Sequence, residues 1–275
     1  MRRLLDGGSQ DCGWKHICGS DVSTIKEFLT NTLWQRTDFL KAGDGVLRPG
    51  GMELTRRGLA LCAGLCGLES SALVLDLGCG TGATLGLLLA EGYRAFGLDE
   101  TIQPALKDRP GCRDRTVRAD MARLPLADET ADALLGECVL SLLPDPAAAL
   151  KEWHRVLRPG GALLLSDFHL REPEAPTPRP DARPAGSCLN ISLPGSCLDG
   201  ALFAREWEEL LRGAGFILRA SEDHSAGLAA LAARLVWYGQ GDLPEIFGLR
   251  SPGKNRTCGV RRYGYGLWAA QKMAE

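Results

Sequence analysis

From Ala72 onward the chain alternates short apolar runs with stretches whose apolar residues recur at helical spacing. The runs Ala72 to Leu77, Arg94 to Leu98, Arg115 to Ala119, Ala131 to Gly136 and Gly161 to Asp167 read as strands. Helices are predicted between them over Ala83 to Glu91, Ile102 to Lys107 and Pro146 to Leu157. The last is closed by Arg158-Pro159-Gly160-Gly161, a helix stop followed by a tight turn. A helix over Phe203 to Ala214, a strand over Phe216 to Ser221, a helix over Gly227 to Tyr238 and a strand over Gly264 to Ala270 complete the pattern. This alternation predicts an α/β fold built on a doubly wound, mostly parallel seven-stranded sheet.

Two segments depart from the alternation. Residues 1–70 read as a helical lead-in or lid: Val22 to Leu40 and Leu54 to Cys66 are helix-like, with a Gly/Pro loop over Gly43 to Gly51 between them. Residues 71–275 form the second unit, interrupted at 171–187 by prolines 173, 176, 178, 180 and 184 alternating with charges, the mark of an exposed extended loop. The net charge of −2 supplies no basic excess for a phosphate backbone, so a small-molecule substrate is expected and nucleic acid is not. No apolar run reaches transmembrane length and no leader-like apolar stretch follows Arg2 and Arg3, so no membrane partner and a cytoplasmic location are expected. Ten cysteines are scattered without a C-x-x-C pair. They read as reduced thiols rather than as a disulfide frame or a metal site. Nothing in the pattern bears on oligomeric state.

The candidate chemistry begins at Asp76-Leu77-Gly78-Cys79-Gly80-Thr81-Gly82, where a strand passes through glycines into a helix. Such a loop lets a nucleotide-like ligand approach the backbone closely and offers N–H groups to it. Gly78, Gly80 and Ala83 also satisfy a dinucleotide fingerprint, so the glycines alone leave two cofactor types open. Three acids narrow the choice. Asp76, two residues before the first glycine, repels a pyrophosphate and attracts the ammonium of a methionyl group. Asp99, with Glu100 beside it, closes the next strand where ribose hydroxyls need acceptors. Asp120 follows the third strand, placed for an adenine amino group, with the Met121 thioether beside the ring.

Residues 72–170 resemble the class I, Rossmann-like S-adenosylmethionine (SAM) dependent methyltransferases of the type that includes the ubiquinone and arsenite enzymes. Val74 to Gly82 is similar to their first motif, and Arg123-Leu124-Pro125-Leu126 to the segment after the adenine-binding acid. Trp153 to Gly161, preceded by Glu152, resembles their E-x-x-R-V-L-x-P-G-G. The resemblance implies SAM as cofactor, with Asp76, Gly78, Cys79, Gly80 and Gly82 around its methionine and ribose, Asp99 and Glu100 at the ribose, Asp120 and Met121 at the adenine, and Glu137 at the pocket's edge.

In an open α/β sheet the substrate lies beyond the carboxyl ends of the strands. There, Gly136-Glu137-Cys138-Val139-Leu140-Ser141-Leu142-Leu143-Pro144-Asp145 resembles a stretch of the arsenite enzymes, with Glu137 where they carry Asn. Gly195 to Leu202, centred on Cys197, resembles their G-E-C-x-G-A-L, and the region of Cys258 is similar to a second arsenic-binding cysteine segment. This implies that Cys138, Cys197 and Cys258 hold a thiophilic metalloid acceptor. The arginine, aspartate and cysteine that follow the glycines in those enzymes are absent, so an unidentified small acceptor is the default expectation and a metalloid one reading beside it; Cys138 also reads as a packing residue. An acceptor carrying a proton calls for a base, for which His169, after the fifth strand, is the best placed histidine. His154 reads as solvated on a surface helix. Two other readings stand beside methyl transfer: a nucleotide-dependent oxidoreductase, and a non-catalytic protein that binds SAM or a metalloid.

Overall fold

A computed structural model describes residues 46, 48–171, 197–198, 200–239 and 263–274. Eight strands form one sheet: β1 Leu73–Leu77, β2 Arg94–Asp99, β3 Thr116–Arg118, β4 Ala131–Glu137, β5 Leu157–Leu170, β6 Leu202–Phe203, β7 Phe216–Asp223 and β8 Tyr263–Lys272. Seven lie in the order β3-β2-β1-β4-β5-β8-β7, and the two-residue β6 joins the end of β5. Pairings from β3 to β5 are parallel, whereas β8 is antiparallel to both neighbours. The order reverses between β1 and β4, which opens a crevice at their carboxyl ends.

The helices are α1 Gly51–Cys66, α2 Ala83–Ala90, α3 Pro146–Val156, α4 Ala204–Gly213 and α5 Ser225–Gly239. Sheet residues pointing one way, among them Val74, Leu135, Leu164 and Leu267, pack with Leu59 of α1, Leu88 of α2 and Leu231 of α5. Those pointing the other way, among them Leu75, Leu134, Leu165 and Trp268, pack with Trp153 of α3 and Trp207 of α4. A central sheet apolar on both faces and helices apolar on one stripe therefore give three layers. α1 lies so close to β5 that a Cβ on Gly58 would fall 2.4 Å from a Leu164 methyl. Among the described residues, no helix is long and apolar enough to cross a membrane.

Two predicted elements change. Ile102 to Lys107 is not an α-helix: a 3-10 turn runs Pro104–Asp108, because Gln103 must be extended before proline and Pro110-Gly111 stops the chain soon after. The turn expected at Arg158 to Gly161 lies inside β5, which starts at Leu157. Ala131 pairs with Leu157 and Ala133 with Ala162, so these four residues bulge opposite Asp132 alone, with Gly160 at φ 77°. The predicted helix Val22 to Leu40 and all of the proline-rich loop past Arg171 lie outside the described residues.

Candidate active site

β1 delivers Asp76 to the crevice and turns at Gly78, whose φ is 68°; a Cβ there would stand 2.5 Å from Val139. Only glycine combines that backbone with that approach. The N–H groups of Gly78, Cys79, Gly80 and Gly82 are bonded within the protein, contrary to the expectation that the loop would offer its N–H groups to a ligand. Gly78 and Cys79 both donate to the Leu98 carbonyl, at 2.7 and 3.1 Å, and Gly82 donates to the Cys79 carbonyl at 2.8 Å. Gly80 donates to Asp99 Oδ2 at 2.8 Å. These glycine N–H groups are thus committed internally, which leaves fewer loop donors for a pyrophosphate than the glycine pattern alone implies.

Asp76 is buried, and the Leu85 N–H bonds to its carboxyl, while Oδ2 has no partner among the described residues. Burial, and then the neighbouring Glu137 charge, push its pKa up to about 8, against the opposing pull of Arg48. At neutral pH the site by itself thus holds this carboxyl largely protonated, and an incoming cation favours its ionised, accepting form. Asp99 is anchored at both oxygens, by the Gly80 N–H and by the Thr101 N–H at 2.9 Å, which aims its remaining lone pairs. The Glu100 side chain is exposed; its carbonyl takes the Arg118 guanidinium at 2.9 Å. Asp120 is exposed and accepts from the Ala122 N–H at 2.8 Å. Met121 is buried in the core on the α3 side, its carbonyl bonded to Trp153 Nε1 at 2.8 Å. The Cys79 thiol packs tightly beneath the loop: a Cβ on Gly97 would sit 2.6 Å from its sulfur. The Glu152–Arg155 pair turns out to be a clamp. Arg155 binds Glu152, Asp128 and the Leu126 carbonyl, and Glu152 accepts from the Leu124 N–H, so the segment after Asp120 is pinned to α3.

Glu137 anchors a buried network invisible in the sequence. Its Oε2 meets Arg48 Nη2 at 2.9 Å, and Thr55 and Thr84 donate to it at 2.9 and 2.8 Å. Arg48 Nη2 also bonds Thr84 Oγ1 at 2.9 Å and Thr55 Oγ1, yet its Nε is buried without a partner. Arg48 precedes α1 in a Gly/Pro loop, where one arginine among 32 basic residues carries no signal.

At the far side of the crevice Cys138 has φ 57°, a left-handed conformation uncommon outside glycine. Its sulfur lies 3.0 Å from the Tyr265 hydroxyl, which in turn lies 3.1 Å from Ser166 Oγ. Burial, then Cys197 and Asp167, push the Cys138 thiol well above the ordinary range, although the Tyr265 hydrogen bond and Arg48 oppose them. Cys138 and Cys197 are thus within electrostatic reach of one another. Their segments also meet closely: a Cβ on Gly200 would lie 1.9 Å from the Ser141 carbonyl oxygen. Cys258 lies outside the described residues. His169 is buried, its Nδ1 3.1 Å from the Leu170 carbonyl and its Nε2 3.8 Å from Asp223, so both ring nitrogens face protein groups. His154 is packed rather than solvated, its ring edge-on to Phe216 at 5.1 Å, and burial lowers its pKa.

A family model described as a methyltransferase domain matches residues 75–165, from β1 to the body of β5. Over these residues the chain is similar to methyltransferase domains, whose sheet architecture it shares. An arsenite methyltransferase of Aquipseudomonas alcaligenes is 33% identical over 194 residues, covering 62% of this chain and 54% of that protein. Phosphoethanolamine N-methyltransferase 3 of Arabidopsis thaliana is 24% identical over 181 residues, covering 60% of this chain and 35% of that protein. The chain therefore spans about half the length of the first relative and about a third of the second. Among solved structures, phosphoethanolamine N-methyltransferase 2 of Haemonchus contortus in complex with SAM matches with a TM-score of 0.63 and 16% identity, over 92% of this chain and 60% of that one. The cyclase SpnF matches with a TM-score of 0.59 and 22% identity, over 83% and 85%. These likenesses show the fold, and the cyclase shows that the fold hosts more than one reaction. The methyl donor of the family is SAM. The methyltransferase domain fits it where it can be tested, with an unpaired acidic oxygen at Asp76 and a cradle at Gly78 that a side chain would fill.

Proposed function

We propose that the protein transfers the methyl group of SAM to a small-molecule acceptor over the carboxyl ends of β1 and β4. The observation that carries this is the buried, unpartnered Asp76 Oδ2 behind a loop whose glycine N–H groups are already bound. That site favours a cation, and the acid beside the loop repels a pyrophosphate, which disfavours a nicotinamide cofactor. When bound, SAM supplies a methyl group already activated on a sulfonium. The protein's own part is to hold and orient. Asp76 takes the ammonium, Asp99 accepts from the ribose hydroxyls, and the Arg155 clamp keeps Asp120 at the adenine. Holding two reactants in line is itself a large source of rate, so the reading requires no protein base, and His169 supports the end of β5 instead.

A thiophilic acceptor is favoured by a specific observation, the close approach of the segment carrying Cys197 to the one carrying Cys138 at the reactive edge. Two soft sulfur ligands suit a trivalent metalloid substrate, and the 33% identical relative is an arsenite methyltransferase. Parallel titrations with SAM and NADH test the main reading: SAM binds, NADH does not, and Asp99→Ala loses SAM affinity while keeping its fold. NADH binding without SAM binding overturns it. Release of S-adenosylhomocysteine from a panel that includes arsenite plus thiol and phosphoethanolamine identifies the acceptor; an arsenite signal unchanged in the Cys138→Ser, Cys197→Ser double variant removes the metalloid reading.

A further inference from the structure

Among the described residues, two buried polar atoms stand without partners near the glycine loop: the carboxyl oxygen Asp76 Oδ2, which accepts once ionised, and the guanidinium donor Arg48 Nε. Leaving such groups unpaired is costly, and at a binding crevice an incoming ligand is the partner that relieves it. Arg48 Nη2 bonds Thr84 in the first turn of α2 and Glu137 at the end of β4, the strand paired with the β1 that carries Asp76. It is therefore anchored where the glycine loop opens into α2.

We propose that Arg48 binds the carboxylate of the donor's amino-acid head, forming with Asp76 a clamp for the intact zwitterion. This rests on the reading of SAM as methyl donor. The charges agree. Arg48, Glu137 and Asp76 together carry one positive and two negative charges when both acids are ionised, whereas SAM carries a sulfonium, an ammonium and one carboxylate. Glu137 does not repel the incoming carboxylate strongly, because Thr55, Thr84 and Arg48 Nη2 already surround its oxygens. The same network fixes the guanidinium in place, so ligand binding does not have to order a long side chain. Arg48 also lies outside the 75–165 match, which places half of the clamp on the segment that leads into α1.

Ligands that lack one group at a time test this directly. Decarboxylated S-adenosylmethionine keeps the ammonium and sulfonium and loses only the carboxylate. Calorimetric binding to the wild-type protein is expected to be about 10- to 100-fold weaker for it than for SAM, the range of a charge-assisted hydrogen bond. In Arg48→Met that preference disappears, the two compounds binding alike. Removing Arg48 alone leaves Glu137 buried without a cation, so the Arg48→Met, Glu137→Gln double variant is measured beside it, with thermal unfolding as the check on folding. Equal affinity of the wild-type protein for the two compounds, or a preference that survives in a folded double variant, overturns the clamp while leaving SAM as donor. Failure of the wild-type protein to bind either compound overturns the donor reading, and the clamp with it.

Discussion

Asp76 serves binding at the expense of stability. Its folded-state pKa of about 8 lies above the roughly 3.9 of an unfolded aspartate. The folded chain thus keeps a proton that the unfolded chain gives up, so the stability associated with Asp76 is full below about pH 4 and is lost as pH rises toward 8. Asp76→Asn cannot ionise and escapes that loss. Its melting temperature is expected to exceed that of the wild type at pH 8, with the gap closing as pH falls to 4, while SAM affinity drops at least tenfold. Parallel melting curves across that pH range would contradict the assignment. At this scale the sequence disclosed acids at strand ends, because a strand followed by glycines is a local pattern. Arg48, Thr55, Thr84 and Tyr265 were not legible: each acts through a partner more than 25 residues away.

Between elements, what matters is how closely neighbouring segments approach. The Ser141 backbone cannot retreat from Gly200, because Asp167 holds its N–H at 3.1 Å and its hydroxyl at 2.6 Å. Gly200→Ala therefore pushes the segment carrying Cys197 away from Cys138. It is expected to cost about 1–3 kcal/mol of stability and to abolish bridging of the two thiols by a monosubstituted arsenical such as phenylarsine oxide, read by thiol titration. Bridging at wild-type yield would mean that the contact does not set the thiol pair. The elements themselves were mostly predictable from periodicity. The exceptions were local signals overruled by pairing: Arg158-Pro159-Gly160-Gly161 has turn chemistry, but pairing of β4 with Leu157 and Ala162 on either side of it makes it a bulge within β5. The Glu152–Arg155 spacing was readable as a motif, but its use as a clamp on residues 124–128 was not.

At the scale of the whole molecule, a ligand that binds only the folded state stabilises it by about 2.7 kcal/mol at a hundred times its dissociation constant. For a domain of this size that corresponds to a rise in melting temperature of roughly 5–10 °C. SAM is expected to produce it and NADH to produce none, with the reverse result excluding methyl donor binding. Local order along the chain was sufficient for the α/β alternation, the strand-to-helix glycine loop and the three acids, because each depends on residues within a few positions of one another. Only the tertiary fold could bring Arg48 to Glu137 and Thr84, and Cys138 to Tyr265, since these partners are far apart in sequence and strand order differs from chain order. It also decided the state of the loop itself. Its glycine N–H groups turn inward to Leu98, Cys79 and Asp99, and that commitment leaves a cation-seeking carboxylate where a phosphate cradle was equally readable from the glycines.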